Sequence, residues 1–145
     1  MSEYLEVVNS LSRMLAEDRH LGDCLENTSP IAQQICYGVT RNWFYYDGVI
    51  EVLLDKPLPE KHLDLWLIVM AGLYSMDHLN RPQHASVNHA VESVIKLSKP
   101  WAKGLVNAVL RRYGRETDTV KQLVMKTKEA RLNHPQWLIE LITAD

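Results

Sequence analysis

The segment His62 to Met76, HLDLWLIVMAGLYSM, is apolar on nearly every side of a helical projection. In a water-soluble chain such a helix is stable only when neighbours bury it on most of its faces. One central rod with several helices packed around it follows from this segment alone. Its longest apolar run, Leu65 to Tyr74, is too short to cross a bilayer, which takes about 20 residues in a helix. The chain of 145 residues with 46% hydrophobic content is long enough to supply one ordinary core.

The remaining segments repeat the helical period. Tyr4, Leu5, Val8, Leu11, Met14 and Leu15 form an apolar stripe that ends near His20 to Asp23, around Gly22. Thr28-Ser29-Pro30 combines a hydroxyl cap with a proline in the first turn, and Ile31, Ile35 and Val39 then recur at i, i+4. A helix starting there can continue through Arg41 to Leu54, with a bend near Asp47-Gly48, before Pro57 and Pro59 stop it. After the break at Asn80-Arg81-Pro82, Val87, Val91, Val94, Ile95 and Ser98 trace one face of a further helix. Lys99-Pro100 leads into the next, Asp118 to Arg131 reads as a more polar one, and His134-Pro135 opens a short last helix striped by Trp137, Leu138, Leu141 and Ile142. No segment alternates as a strand would. The expected fold class is all-α, a single-domain helical bundle.

Charge is distributed unevenly. The stretch from Met1 to Glu60 has four Lys/Arg against ten Asp/Glu, whereas Lys61 to Asp145 has twelve against eight. Within the second half, Lys96 to Arg115, KLSKPWAKGLVNAVLRRYGR, holds six basic residues and no acidic one. At about 100° per residue, Leu105, Val106, Val109, Leu110 and Tyr113 share one arc, and Lys103, Asn107, Arg111 and Arg115 form an i, i+4 ridge on the other. A helix of this kind packs inward and presents cations outward, to solvent or to a polyanion such as RNA.

The search for catalytic chemistry gives negatives. The six glycines stand singly, so there is no phosphate-cradling loop. Cys24 and Cys36 form no CxxC pair, there is no HExxH, and no histidines fall at zinc spacing. Buried or half-buried free thiols, no metal, and no general acid, base or nucleophile are expected. MSEYLEVVN is acidic and unlike a signal peptide, so a cytoplasmic location and no membrane partner are expected.

Several residues carry two readings. Asn88 lies beside Val87 and Val91, where a hydrogen-bonded clamp between helices is the stronger reading. Asn107 fits an RNA contact and a clamp equally. The aromatics around Arg41 (Tyr37, Trp43, Phe44, Tyr45 and Tyr46) could stack bases, but as ordinary core they need no ligand, and core is the preferred assignment. Gly38 and Gly104 are expected to allow close helix approach, and Gly104 could also admit a phosphate to a helix start.

Three motifs in order, YGVTR at Tyr37 to Arg41, RPQHASVNHAVE at Arg81 to Glu92 and KGLVNAVLRR at Lys103 to Arg112, resemble the NusB-type all-helical RNA-binding domain over nearly the whole chain. In that resemblance Gly38, Arg41, Pro82, Asn88 and Gly104 occupy family motif positions. Lys96, Lys99, Lys103, Asn107, Arg111, Arg112 and Arg115 are the candidate RNA contacts. The arginine pair of VLRR, with NHPQWLIE at Asn133 to Glu140, is similar to the N-terminal domain of small-subunit ribosomal RNA cytosine-C5 methyltransferases. The resemblance implies an RNA-binding domain over residues 1–131 and, at 132–145, the lead-in to a methyltransferase domain that lies outside this chain. That domain would bind S-adenosylmethionine, cover the apolar stripe of the last helix, and methylate 16S ribosomal RNA held here. Arg112, about 100° round the helix from Arg111, would face that domain or the RNA. A stand-alone transcription antitermination factor, binding RNA together with a ribosomal protein, is the alternative. A helical protein-docking domain with the acidic half as its interface is a third.

Overall fold

The computed structural model describes residues 2–56 and 58–132, the last six through their backbone alone. The expected helix from His134, with Trp137, Leu138, Leu141 and Ile142, lies outside the described residues, as does Pro57. Among the described residues the fold is all-helical: α1 (Glu3–Glu17), α2 (Pro30–Arg41), α3 (Trp43–Leu53), α4 (Leu63–His78), α5 (Gln83–Lys96), α6 (Lys103–Arg115) and α7 (Thr117–Leu132), joined in part by short 3-10 turns.

Local chemistry starts the first two helices and ties them together. Ser2 caps α1 by accepting from the Leu5 amide, and Ser29 caps α2 by accepting from the Ala32 amide, with Pro30 in the first turn. The Ser29 hydroxyl also donates to Glu6 of α1 at 2.7 Å, which fixes the start of α2 against the first helix.

The break between α2 and α3 falls at Asn42, and the expected bend at Asp47-Gly48 is absent, since both residues lie inside α3. Asn42 donates to the Gly38 carbonyl twice, from its backbone N–H at 3.1 Å and from its side-chain Nδ2 at 2.8 Å, while its own backbone leaves the helical region at φ −108°, ψ 22°. The side-chain amide thus adds a second donor to a carbonyl at the helix end, a local bond of the kind that places asparagine at helix termini and in turns.

The apolar rod is α4, with Leu65, Leu67, Ile68, Met70, Ala71 and Leu73 fully buried. It touches α1, α2, α3, α5 and α6, and each fully buried large aliphatic side chain stabilises the fold by about 1.5–3 kcal/mol relative to exposure. Two neighbours press on α4 where a glycine leaves room. A Cβ on Gly38 would lie 1.9 Å from the Tyr74 ring, and one on Gly72 would lie 2.8 Å from Leu110 of α6. Gly104 was expected to serve the same purpose but does not, because nothing lies within 4 Å of its missing Cβ.

The inner face of α5 is made of Ser86, Val87, Ala90, Ser93 and Val94, whereas Ile95 is 47% exposed and Ser98 is exposed. Small residues let α5 lie close to α4, and the buried arc is rotated from the valine-based one read in the sequence. Asn88 consequently points outward and is exposed; it clamps nothing. At the end of α5, Ser98 adopts φ 62°, which lets the Lys99 amide reach back to the Val94 carbonyl at 3.0 Å and turns the chain toward α6.

A hydroxyl network ties α3, α4 and α6. Tyr113 donates to both oxygens of Asp77 at 3.0 Å, and Tyr46 donates to the same carboxylate at 3.2 Å. Because the single proton of Tyr113 is committed to Asp77, Tyr45, 2.9 Å away, is the donor in its bond to Tyr113. Burial pushes Tyr4, Tyr45, Tyr46 and Tyr113 above the ordinary phenol value of 10.0, with the Asp77 charge adding to the rise at the last three. A proton held more tightly in the folded state contributes stability that is complete below the unfolded pKa and is lost as pH climbs past it. These four phenols are expected to ionise together with the loss of helical circular dichroism, above pH 10. Gradual phenolate formation with the helices intact would contradict that.

Candidate nucleic-acid interface

Helix α6 buries Val106, Val109, Leu110 and Tyr113 and leaves Lys103, Gly104, Ala108, Arg111, Arg112 and Arg115 exposed. Around the axis, Gly104, Ala108, Arg111 and Arg115 occupy the centre of the solvent face, and Lys103 and Asn107 lie toward its edge. The i, i+4 ridge thus runs from the edge of the face at Lys103 and Asn107 to its centre at Arg111 and Arg115, where two small residues lie beside the arginines.

The cations of this region differ in what holds them. Lys99 bonds Asp64 at 2.7 Å with only 20% of its side chain exposed, so it fastens the α5–α6 connection to the start of α4. Arg112 pairs with Glu116 at 2.9 Å across one turn, an exposed contact worth less than about 1 kcal/mol that a competing anion can displace. Arg111 donates its Nε to Asn107 Oδ1 at 2.9 Å, an orientation that aims the guanidinium without neutralising it. Asn107, half-buried, is therefore a support for Arg111 within one helix and bridges no helix pair. Among the described residues, Lys96, Lys103, Arg111 and Arg115 form no ion pair with a carboxylate.

The structure exposes aromatics that the sequence reading assigned to the core. Tyr46 is buried and Trp43 and Tyr45 pack partly against the core, as expected, but Tyr37 is 47% and Phe44 49% exposed, with Arg41 exposed between them. The helix break at Asn42 resets the register there, so a continuous projection misassigns Phe44. Trp101 is the most exposed large hydrophobic residue among the described ones, at 58%, and the lysines at 99 and 103 on either side of it were the available signal in the sequence. Pro82, exposed, precedes the first turn of α5 and accepts from the Ala85 amide.

Nothing in the described residues prepares a nucleophile or a metal centre. Both cysteines are free and buried, and burial pushes the Cys36 thiol up to about 12, which keeps it protonated and inert. Among the described residues, no group of three or more His, Cys, Asp or Glu is placed to hold a metal ion, and no helix is long and apolar enough to cross a membrane.

Residues 3–115 match the family model described as the NusB family. The chain is 39% identical over 112 residues to the probable ribosomal RNA small subunit methyltransferase B of Coxiella burnetii, covering 77% of this chain and 26% of that protein. It is 33% identical over 134 residues to ribosomal RNA small subunit methyltransferase B of Vibrio vulnificus, covering 92% and 31%, and 32% identical over 143 residues to that of Proteus mirabilis, covering 98% and 33%. The chain thus spans about a quarter to a third of the length of these curated relatives.

Proposed function

This chain belongs to the NusB family, and from that premise we propose that it is the RNA-holding N-terminal module of a methyltransferase acting on cytosine C5 of small-subunit ribosomal RNA. Residues 1–131 form the module and 132–145 lead into the catalytic domain, and the protein works in the cytoplasm. The names of the relatives support this reading over a stand-alone antitermination factor. S-adenosylmethionine belongs to the catalytic domain. The described residues contain no strand and no glycine-rich turn at a helix start, so they do not fit the cofactor's usual cradle, and no chemical step is assigned to them.

The observation that carries the RNA assignment is the solvent face of α6, where Lys103, Arg111 and Arg115 stand without a carboxylate partner among the described residues. Phosphate contacts release condensed counterions, so affinity falls with salt by about 0.7 log units per log unit for each single-strand phosphate neutralised. Lys103→Glu with Arg111→Glu is expected to weaken binding of a single-stranded oligoribonucleotide at least about tenfold and to flatten the salt dependence by about 1.4. The same double reversal at Arg13 and Lys56, exposed on α1 and after α3, is expected to change affinity less than about threefold, by loss of long-range attraction alone. Salt-independent binding, or equal effects of the two double variants, would sink the assignment.

A further inference from the structure

The strip along α6 ends at Trp101. This indole is 58% exposed and precedes the helix in a 3-10 turn whose next residue, Ala102, is fully buried. Its ring meets His62 in a T-shaped contact, centroids 4.9 Å apart and planes at 66°, which holds the indole's orientation. Trp101 and Gly104 are three residues apart, a spacing that sets one above the other across the junction of the 3-10 turn and α6. A large flat apolar ring is thus followed by an open glycine, an exposed alanine at 108, and then Arg111 and Arg115.

An exposed indole offers a large flat apolar face that a partner can cover with a gain in free energy. The partner's character is set by the neighbours. Lys99 and Lys103 flank the indole in sequence, Asp64 is already neutralised by Lys99, and Lys103, Arg111 and Arg115 form no ion pair among the described residues. A partner with flat apolar groups joined by regularly spaced negative charges matches a ring beside a row of cations, and single-stranded nucleic acid has that construction.

We propose that Trp101 is a base-stacking platform, on which one unpaired nucleobase lies while the adjoining phosphates follow Gly104 and Ala108 toward Arg111 and Arg115. The proposal rests on the RNA-binding reading of α6 and adds the class of RNA to it: a single strand, since a base inside a duplex offers no free face. Gly104 and Ala108 keep the path between ring and arginines low enough for the sugar-phosphate backbone. His62 is a positioning residue, acting through the ring it touches.

The test uses the whole 145-residue chain, a short single-stranded oligoribonucleotide of mixed sequence, and an abasic phosphodiester of equal length. Trp101→Ala is expected to weaken binding of the base-bearing strand about tenfold, leave its salt slope unchanged, and leave the weaker binding of the abasic strand unaltered. Trp101→Phe, which keeps an aromatic face, is expected to recover most of the loss. Thermal melts of both variants should match the unmodified chain because the side chain is exposed. In the unmodified protein, the emission lost in Trp101→Phe should be quenched by the base-bearing strand and not by the abasic one. If the unmodified chain binds with a phosphate-type salt slope and Trp101→Ala binds both strands as well as it does, stacking is overturned and the phosphate reading stands. Absence of binding to either strand overturns both readings. Shielding of the Trp101 emission that depends on protein concentration and not on RNA would place a second copy of the chain on this face and also overturn stacking.

Discussion

Gly38→Ala is expected to destabilise the fold by about 2–3 kcal/mol, read as a lowered urea midpoint with an unchanged slope. Alanine in a helix interior is intrinsically better than glycine by about 1 kcal/mol, so the sign is set by packing. The added Cβ would sit 1.9 Å from Cε2 of Tyr74 and 2.4 Å from its Cδ2 and Cζ. The ring has little freedom to retreat. It is only 8% exposed, Gln34 Nε2 donates to its hydroxyl at 3.2 Å, and His78 lies against it at a centroid distance of 4.9 Å. Either α2 and α4 separate or the ring leaves its site, and both outcomes lose buried contacts. Trimming the obstacle with Tyr74→Leu should make Gly38→Ala nearly neutral in that background, so the double-mutant cycle should show a coupling of about 1–2 kcal/mol. A Gly38→Ala variant as stable as the parent would show that α2 does not press on that ring.

Asp77→Ala is expected to cost a similar amount, about 2–3 kcal/mol. The loss does not come from burying the carboxylate, since Asp77 is itself exposed. It comes from the donors left behind: Tyr46 and Tyr113 are each 1% exposed, and both lose the carboxylate that accepts from them. Asp77→Asn keeps one acceptor oxygen and should cost about half as much, since one buried hydroxyl remains satisfied. Equal melting of the Ala and Asn variants would mean that the network contributes no directional bonding.

The comparison of sequence with structure separates what periodicity can reach from what it cannot. The central rod, the Ser29-Pro30 start and the inward face of α6 were legible because each rests on side-chain type at fixed spacing within one segment. Gly38 and Gly104 look alike in sequence, yet one receives a tyrosine ring and the other faces open space. That distinction depends on a partner helix many residues away. Asn88 is likewise exposed because α5 turns its small residues inward against α4, and Asn107 accepts from Arg111 within its own helix. At the break, the Asn42 side-chain amide joins its own backbone N–H on the Gly38 carbonyl, a local bond that leaves no mark on hydrophobic spacing. For the interface, the cations could be counted in sequence but their engagements could not, and the exposure of Trp101 follows from a 3-10 turn too short to project.

The pairing of Lys99 with Asp64 and of Arg112 with Glu116 has a consequence for avidity. Of the six cations in the basic run, Lys99 is fastened to Asp64 and Arg112 more loosely to Glu116, so the strip offers a short handhold. From Lys103 to Arg115 it measures about 18 Å at the helical rise of 1.5 Å per residue. On the proposed RNA-binding reading, a grip of that length would span only a few nucleotides. Under that proposal the module would act as one hand of two, raising the local concentration of RNA for a tethered second site while still allowing release.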